Sequence, residues 1–420
     1  MTKVGGIVII FIVLAFLFFL NWYVYQGVKT LLPVSWLTKG KIVYWLISGG
    51  ISLWIGLAFF RIMQEGRIST TSQQTLNLFI IVTVTQLTII VFLFGEDIFR
   101  GLSATWSYFS AGLSSDTAGV YPGRRKFISQ LAFAAAVIPF TGFVYGVFKG
   151  KYDFRTIRKT IYFSDLPEAF DGFTITQLSD IHAGSFTDME AVKKGAELAA
   201  SHNSDLFVFT GDLVNHKADE IEPMMEAFSK IRAPFGQYSI LGNHDYGDYS
   251  SWPSPEAKRA NFERLKQQHK ILGYDLLLDE NRVLEKDGQQ IRLLGVENWG
   301  VGFQSRGDLE KSLAGVADGE FKILLSHDPS HWDEQVKKHP KNIHLTLSGH
   351  THGMQFGIET PLFRWSPAQY RYPNWAGLAE EAGKYLYVNR GFGFHAFSGR
   401  VGIWPEITVI ELRRGKRGAV

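Results

Sequence analysis

Four apolar runs within the first 150 residues constrain this chain more than any other feature. Residues 7–25, IVIIFIVLAFLFFLNWYVY, carry no charge and end among Trp and Tyr. At about 1.5 Å per residue such a run covers the roughly 30 Å of a bilayer core, with aromatic side chains at one interface. Further runs span about 42–60, 76–94 and 127–148, separated by polar loops. A single run reads equally well as a buried core helix. Four in succession predict a membrane domain over residues 1–150, followed by a water-soluble domain over 151–420. A mean hydropathy near zero conceals that division.

An even number of crossings returns the C-terminal domain to the side of the N-terminus. Lys29, Lys39, Lys41, Arg100, Arg124, Arg125 and Lys126 flank the spans on one side, against Lys3, Arg61 and Arg67 on the other. Seven against three places the large domain outside the cytoplasm, because basic loops stay inside. Lys149, Lys151, Arg155, Arg158 and Lys159, just past the fourth run, weaken that count. Gly123-Arg124-Arg125-Lys126-Phe127-Ile128 also resembles a twin-arginine export signal, although it stands behind three other spans. Read instead as a basic anchor for the fourth span, it gives the same orientation.

The chain has no cysteine, which excludes disulfides and thiolate metal ligands and leaves His, Asp and Asn to hold any ion. A net charge of +3 gives no ground for a nucleic-acid polymer as partner. From about Tyr152, β-like runs alternate with helix-like stretches. The runs are 173–180, 205–212, 236–243, 291–298, 321–328, 343–350, 384–391 and 406–413. Helical patterns over Asp188–Ala200, with Asp188 as N-cap, and over Glu220–Ile231 separate the first three. That alternation predicts an α/β fold of mixed sheets covered by helices, with antiparallel pairing among the later strands.

Five of the runs end in metal-capable residues: Asp180-Ile-His182, Gly211-Asp212, Gly242-Asn243-His244-Asp245, Ser326-His327 and Gly349-His350-Thr-His352. In extended chain, residues two apart share a face, so Asp180 with His182, and His350 with His352, are each expected to serve one locus. Asn243 and His244, being adjacent, are expected to do different work. Glycines 211, 242 and 349 suit sharp turns and close backbone approach. Any one of these pairs alone is an ordinary accident or a turn; their placement at successive strand ends is not. The nitrogen and oxygen donors suit Mn²⁺, Fe or Zn²⁺ better than Ca²⁺. Two divalent ions less the ionised Asp180 and Asp212 leave a centre of about +2, which attracts a phosphoryl group and acidifies water. Histidines 202, 216, 269, 331, 339 and 344 have no such setting and are expected to be solvated.

The order DIH, GDLV, GNHD, SHD, GHTHG resembles the calcineurin-like metallophosphoesterase superfamily, whose blocks are D-x-H, G-D, G-N-H-[DE], a lone H and G-H-x-H. The resemblance covers about residues 170–400 and is nearest to the bacterial membrane-associated phosphodiesterase branch. It implies a four-layer αββα sandwich after the four-helix transmembrane region, two divalent ions, and a bacterial cell membrane as the location. It also implies that Asp180, His182 and His352 hold one metal, Asn243, His327 and His350 the other, and that Asp212 bridges both. His244 would contact the phosphate and protonate the leaving oxygen, with Asp245 orienting its imidazole, and a metal-bridging hydroxide would attack the phosphoester in line. An imidazole beside a carboxylate suits acid–base work near neutral pH.

Substrate choice must lie outside these blocks. The aromatic, Arg- and Pro-rich segment 356–375 reads as a lid, as a lipid-facing lip, or as an ordered loop packed on the sheet. Arg390 and Arg400 are weaker candidates for phosphate contacts, and His395 for lining the entrance. Membrane anchoring suggests a lipid-linked or cell-envelope phosphoester or pyrophosphate. The rivals are soluble nucleotides or phosphoproteins, and a membrane sensor that uses the domain only for binding. Nothing in the sequence fixes the oligomeric state.

Overall fold

The computed structural model describes residues 3–65, 70–110 and 122–416. The chain divides into two compact units, Met1–Val147 and Phe148–Val420. Arg67, one of the cations in the orientation count, lies outside the described residues.

The first unit is four helices: α1 (Lys3–Leu31), α2 (Leu37–Glu65), α3 (Thr70–Ser110) and α4 (Pro122–Phe148). All four are long and apolar enough to cross a membrane. The third expected span, 76–94, is only part of α3, whose 41 residues run about 60 Å. Val24, Ile89, Leu93, Ala132 and Ala136 form the packed centre of the bundle, while its outer faces carry exposed Phe, Leu and Ile. Several buried polar groups pair with one another, as an apolar surround favours. Asn21 accepts from Gln86 at 2.7 Å and donates to Ser52 at 3.2 Å. Arg124 and Arg125 are bonded to Glu96, and Arg125 also to Asp97 at 2.8 Å. The arginine pair thus sits in the first turns of α4, engaged with acids of α3.

In the second unit the strands are β1 (Arg155–Phe163), β2 (Thr174–Leu178), β3 (Leu206–Thr210), β4 (Gln237–Ile240), β5 (Asp275–Leu276), β6 (Glu280–Lys286) and β7 (Gln289–Gly295). They continue with β8 (Phe321–Leu325), β9 (Leu345–Ser348), β10 (Ile358–Glu359), β11 (Arg364–Trp365), β12 (Gly377–Glu381), β13 (Lys384–Val388) and β14 (Glu406–Arg414). Two six-stranded sheets result, in the orders β1-β14-β2-β3-β4-β5 and β12-β13-β9-β8-β7-β6, with β10-β11 a separate hairpin. β2, β3 and β4 are mutually parallel, as are β7, β8, β9 and β13; β6 and β12 add antiparallel edges.

The two-residue period of a strand turns each apolar run into two cores. In β3, Leu206 and Val208 join the core between the sheets, while Phe207 and Phe209 face helices. In β8, Ile323 and Leu325 point inward and Leu324 outward. The outer face of the first sheet is covered by α5 (Met189–Ala200), α6 (Met225–Phe228) and α7 (Pro255–Leu272); short α8 (Leu309–Ser312) and α9 (Ser330–Glu334) cover the second. The layers are helix, sheet, sheet, helix. Asp188 caps α5, its side chain accepting from Ala191 N. The helix expected over Glu220–Ile231 is instead a 3-10 segment, Ala218–Met224, running into one turn of α6, with Pro223 inside it.

Candidate metal centre

All five polar blocks leave the carboxyl ends of parallel strands: β2, β3 and β4 in one sheet, β8 and β9 in the other. Ligand sites of α/β sheets lie at such ends. The backbone there is unusual. Asp180, His182, Asp212, His350 and His352 all have positive φ, from 48° to 72°. Non-glycine residues pay about 1–2 kcal/mol each for that conformation, so bonds among the turns must hold it. Asp180 N donates to Gly211 O at 2.8 Å, His182 N to Asp212 O at 3.1 Å, and Gly349 N to His327 O at 2.9 Å. A Cβ on Gly242 would strike the Asp212 carboxylate, and one on Gly349 would strike Asp180.

Among the described residues, two groups that include a carboxylate converge: Asp180, His182 and His352 form one, and Asp212, His327 and His350 the other; a third, His182, His244 and His395, is of imidazoles alone. Nε2 of His352 lies 3.2 Å from Asp180 Oδ1. Asp212 Oδ2 faces both groups, 3.4 Å from His182 Nε2 and 3.2 Å from His327 Nε2. Asn243 Oδ1 meets His350 Nδ1 at 2.9 Å. His350 and His352 therefore serve different loci, contrary to the extended-chain expectation, because the backbone between them is turned rather than extended.

The donor set fits divalent cations. Nε2 of both His327 and His352 is buried without a hydrogen-bond partner, each facing a carboxylate. Two second ring nitrogens are held by oxygens, His182 Nδ1 by Asn215 Oδ1 at 3.0 Å and His327 Nδ1 by Thr210 O at 2.7 Å, whereas His352 Nδ1 accepts from Arg400 at 3.1 Å. Such outer contacts fix ring orientation in metal sites. Burial holds the His182, His350 and His352 imidazoles below their usual range. His327 behaves otherwise: burial opposes its charge, yet Asp212 and Asp180 push it up to about 10. The two carboxylates thus make the locus attractive to positive charge, as a cation site requires.

The other site residues differ from expectation in instructive ways. His244 Nδ1 lies 2.9 Å from Asn215 O, so that carbonyl, not Asp245, sets its ring. Asp245 instead accepts from the amides of Gly242, Asp212, Leu213 and Val214, clamping the turns. Burial, then the neighbouring Asp212, push its carboxyl up to about 7. Arg390 is paired with Glu406 and Glu359, and Arg400 is wholly buried, donating to the carbonyls of Arg390, Gly391 and Gly393. Neither is free to meet a phosphate; both brace the turns. His395 does reach the site, its ring 4.4 Å from His244 and 5.0 Å from His182, and His216 lies beside them. His269, His331 and His344 are buried rather than solvated, each spent on a neighbouring side chain.

Three residues escaped the sequence reading. Asn215 serves both His182 and His244, and Tyr372 OH and Asp328 Oδ2 lie 2.8 and 3.4 Å from His350 Nε2. Asp328 stands inside the quoted SHD and Asn215 directly after GDLV, but a side chain's reach across turns is invisible in one dimension.

Residues 173–354 match the family described as "Calcineurin-like phosphoesterase", and residues 6–151 that described as "Probable Calcineurin-like phosphoesterase, transmembrane domain". A metallophosphoesterase of Bacillus subtilis, YkuE, is 30% identical over 69% of this chain and 97% of its own length. The chain belongs to the calcineurin-like metallophosphoesterases. A transmembrane protein with metallophosphoesterase domain from Danio rerio is 26% identical over 77% of this chain and 71% of its own. The UDP-2,3-diacylglucosamine pyrophosphatase LpxG of Chlamydia muridarum is 27% identical over 54% of this chain and 81% of its own. This metallophosphoesterase is thus an integral membrane hydrolase of phosphoesters, in a family that uses divalent metals.

Proposed function

We propose that the chain cleaves a lipid-linked or cell-envelope phosphoester or pyrophosphate with two divalent ions, Mn, Fe or Zn, from the outer side of a bacterial cell membrane. The observation that carries the two-ion reading is Asp212 Oδ2, which faces His182 of one ligand group and His327 of the other. Asp180, His182 and His352 would hold the first ion and Asn243, His327 and His350 the second, with Asp212 between them. Ions held there polarise phosphoryl oxygens and acidify water. Asn243, being neutral, leaves the centre its positive excess for an anionic substrate.

Cleavage adds water oxygen to phosphorus and breaks the bond to the leaving oxygen, which must take a proton. His244 would supply it: its Nδ1–H is spent on Asn215 O, so Nε2 is the nitrogen left to carry the proton. Asp245 holds the turns that carry Asp212 and Asn243. LpxG, a pyrophosphatase acting on a diacylated sugar nucleotide, supports a lipid-linked pyrophosphate as the substrate class. The basic loops on the opposite side of the spans support the outward placement of the domain.

The test is turnover by the purified chain, with added Mn²⁺, of a panel of lipid and soluble phosphoesters. Preference for lipid-borne substrates supports the reading; preference for soluble nucleotides or phosphopeptides refutes the substrate class. No turnover of any phosphoester, with metals bound, would favour a sensor instead.

A further inference from the structure

Exposed apolar side chains of the soluble unit recur in the segment that follows His352. Among the described residues beyond 150, eleven large apolar side chains are exposed, and five of them are Met354, Ile358, Leu362, Phe363 and Tyr370. Leu362 is 99% exposed and Tyr370 79%, at the tip and flank of the β10–β11 hairpin. A contiguous exposed apolar patch on a folded domain marks an interaction surface.

The hairpin is no loose lid. Thr360 N donates to Phe363 O at 2.9 Å and closes the tip, while Gly357 N donates to Val401 O at 2.9 Å at the base. Ser366 Oγ donates to Gly353 O at 2.6 Å, one residue past His352, and Arg390 holds Glu359 at 2.6 Å. Tyr372, two residues after Tyr370, meets His350 at 2.8 Å. The prong is therefore braced on the same turns that carry the metal-capable histidines. A surface already ordered loses little freedom on contact.

What it touches follows from the rest of the chain. Only six residues separate the fourth membrane-spanning helix, ending at Phe148, from β1 at Arg155. Three of the six form a 3-10 turn, Gly150–Tyr152, so the connection to a bilayer-spanning helix is short. Leu and Phe at a tip, with Tyr and Trp behind them and Arg364 and Arg371 on the flank, are the residue types that settle at the headgroup level of a membrane. Arg371 spends its charge on Val301 O and on the ring faces of Phe303 and Tyr372, beside the opening.

We propose that this prong docks on the bilayer surface and feeds the metal centre with lipids whose phosphoester lies at headgroup level. The proposal rests on the phosphoesterase reading above and names how its substrate arrives. A soluble phosphodiester would need no such docking.

Two experiments on the full chain in lipid nanodiscs test it. The double variant Leu362→Asp/Phe363→Asp is expected to lose at least tenfold in turnover of bilayer-borne lipid phosphoesters, with turnover of bis(p-nitrophenyl) phosphate within twofold of the parent. Equal effects on both substrates, or none on either, overturn the docking role. A parent chain inactive on both refutes the phosphoesterase reading instead. Because the chain has no cysteine, Leu362→Cys offers a single thiol for an environment-sensitive nitrobenzoxadiazole label, with Ile271→Cys as the exposed comparison. The label at 362 is expected to shift to the blue and be quenched by spin-labelled lipids, and that at 271 not. A water-like signal at 362, or burial there without lipid quenching, as a protein partner or second copy would give, overturns the proposal.

Discussion

Replacing Asp245 by Asn separates two accounts of that carboxylate. In the structure each oxygen takes two amides: Oδ1 those of Leu213 and Val214, Oδ2 those of Asp212 and Gly242, three of the four at 2.9 Å. An asparagine must present its NH₂ to one of these pairs, so two hydrogen bonds to a charged group become donor–donor clashes. At about 1.5–3 kcal/mol for each such bond, 3–6 kcal/mol is lost. Burial already pushes this carboxyl up to about 7, so removing the charge returns part of that cost. The net expectation is about 2–4 kcal/mol of destabilisation, or about 5–15 °C in Tm at the scale of a domain this size. Thermal unfolding of the purified full chain in detergent, with and without Mn²⁺, measures it, and metal content should fall in parallel because Asp212 and Asn243 sit on the clamped turns. The position of His244 should persist, since its ring is set by Asn215 O. An unchanged Tm, with a rate loss concentrated on poor leaving groups, would refute the clamp and restore Asp245 as the group that orients His244.

Asp212→Ala should abolish hydrolysis of an aryl phosphodiester and lower bound metal; turnover retained with two ions bound would contradict its place between the two groups. His244→Ala should keep its metals and lose about 10²–10⁴ in rate, most with poor leaving groups; loss of metal instead would remove it from acid chemistry. Stability should fall in acid. Burial lowers His269 to about 3 and His331 to about 4, so below pH 6.5 the unfolded chain binds more protons than the folded one. Their contribution is complete above pH 6.5 and is lost as pH falls toward 4, about 2 kcal/mol for each between pH 7 and 5. Unfolding of metal-free chain at pH 7 and 5 should show a flatter dependence for His269→Gln/His331→Gln; an unchanged dependence would contradict the burial argument.

Much of the molecule was legible because its signals are local. Membrane spans announce themselves by length and hydropathy, and the five blocks by residue type at the ends of apolar runs. The reason given for convergence was partly wrong. Alternation along a strand cannot place His350 and His352, because both occupy left-handed backbone conformations outside the strand. Helix α7 was missed although Ser254 caps it, Pro255 opens it and Gly273 closes it in left-handed geometry, because its mean polarity hid the apolar stripe of Leu265 and Leu272. By sequence, Arg390 and Arg400 are candidates for phosphate contacts. Their partners, Glu406, Glu359 and a set of carbonyls, come from turns far along the chain, and only the fold brings them together.

Asp212 stands at the middle of the two-metal hydrolytic centre we propose. The most direct test of that centre is metal analysis of the purified full chain alongside hydrolysis of bis(p-nitrophenyl) phosphate before chelation, after it, and after Mn²⁺ is restored. The account predicts two divalent ions per chain, loss of turnover on chelation and recovery on restoration, with neither ions nor recovery in Asp212→Ala. Full turnover by the chelated, metal-free chain would contradict it.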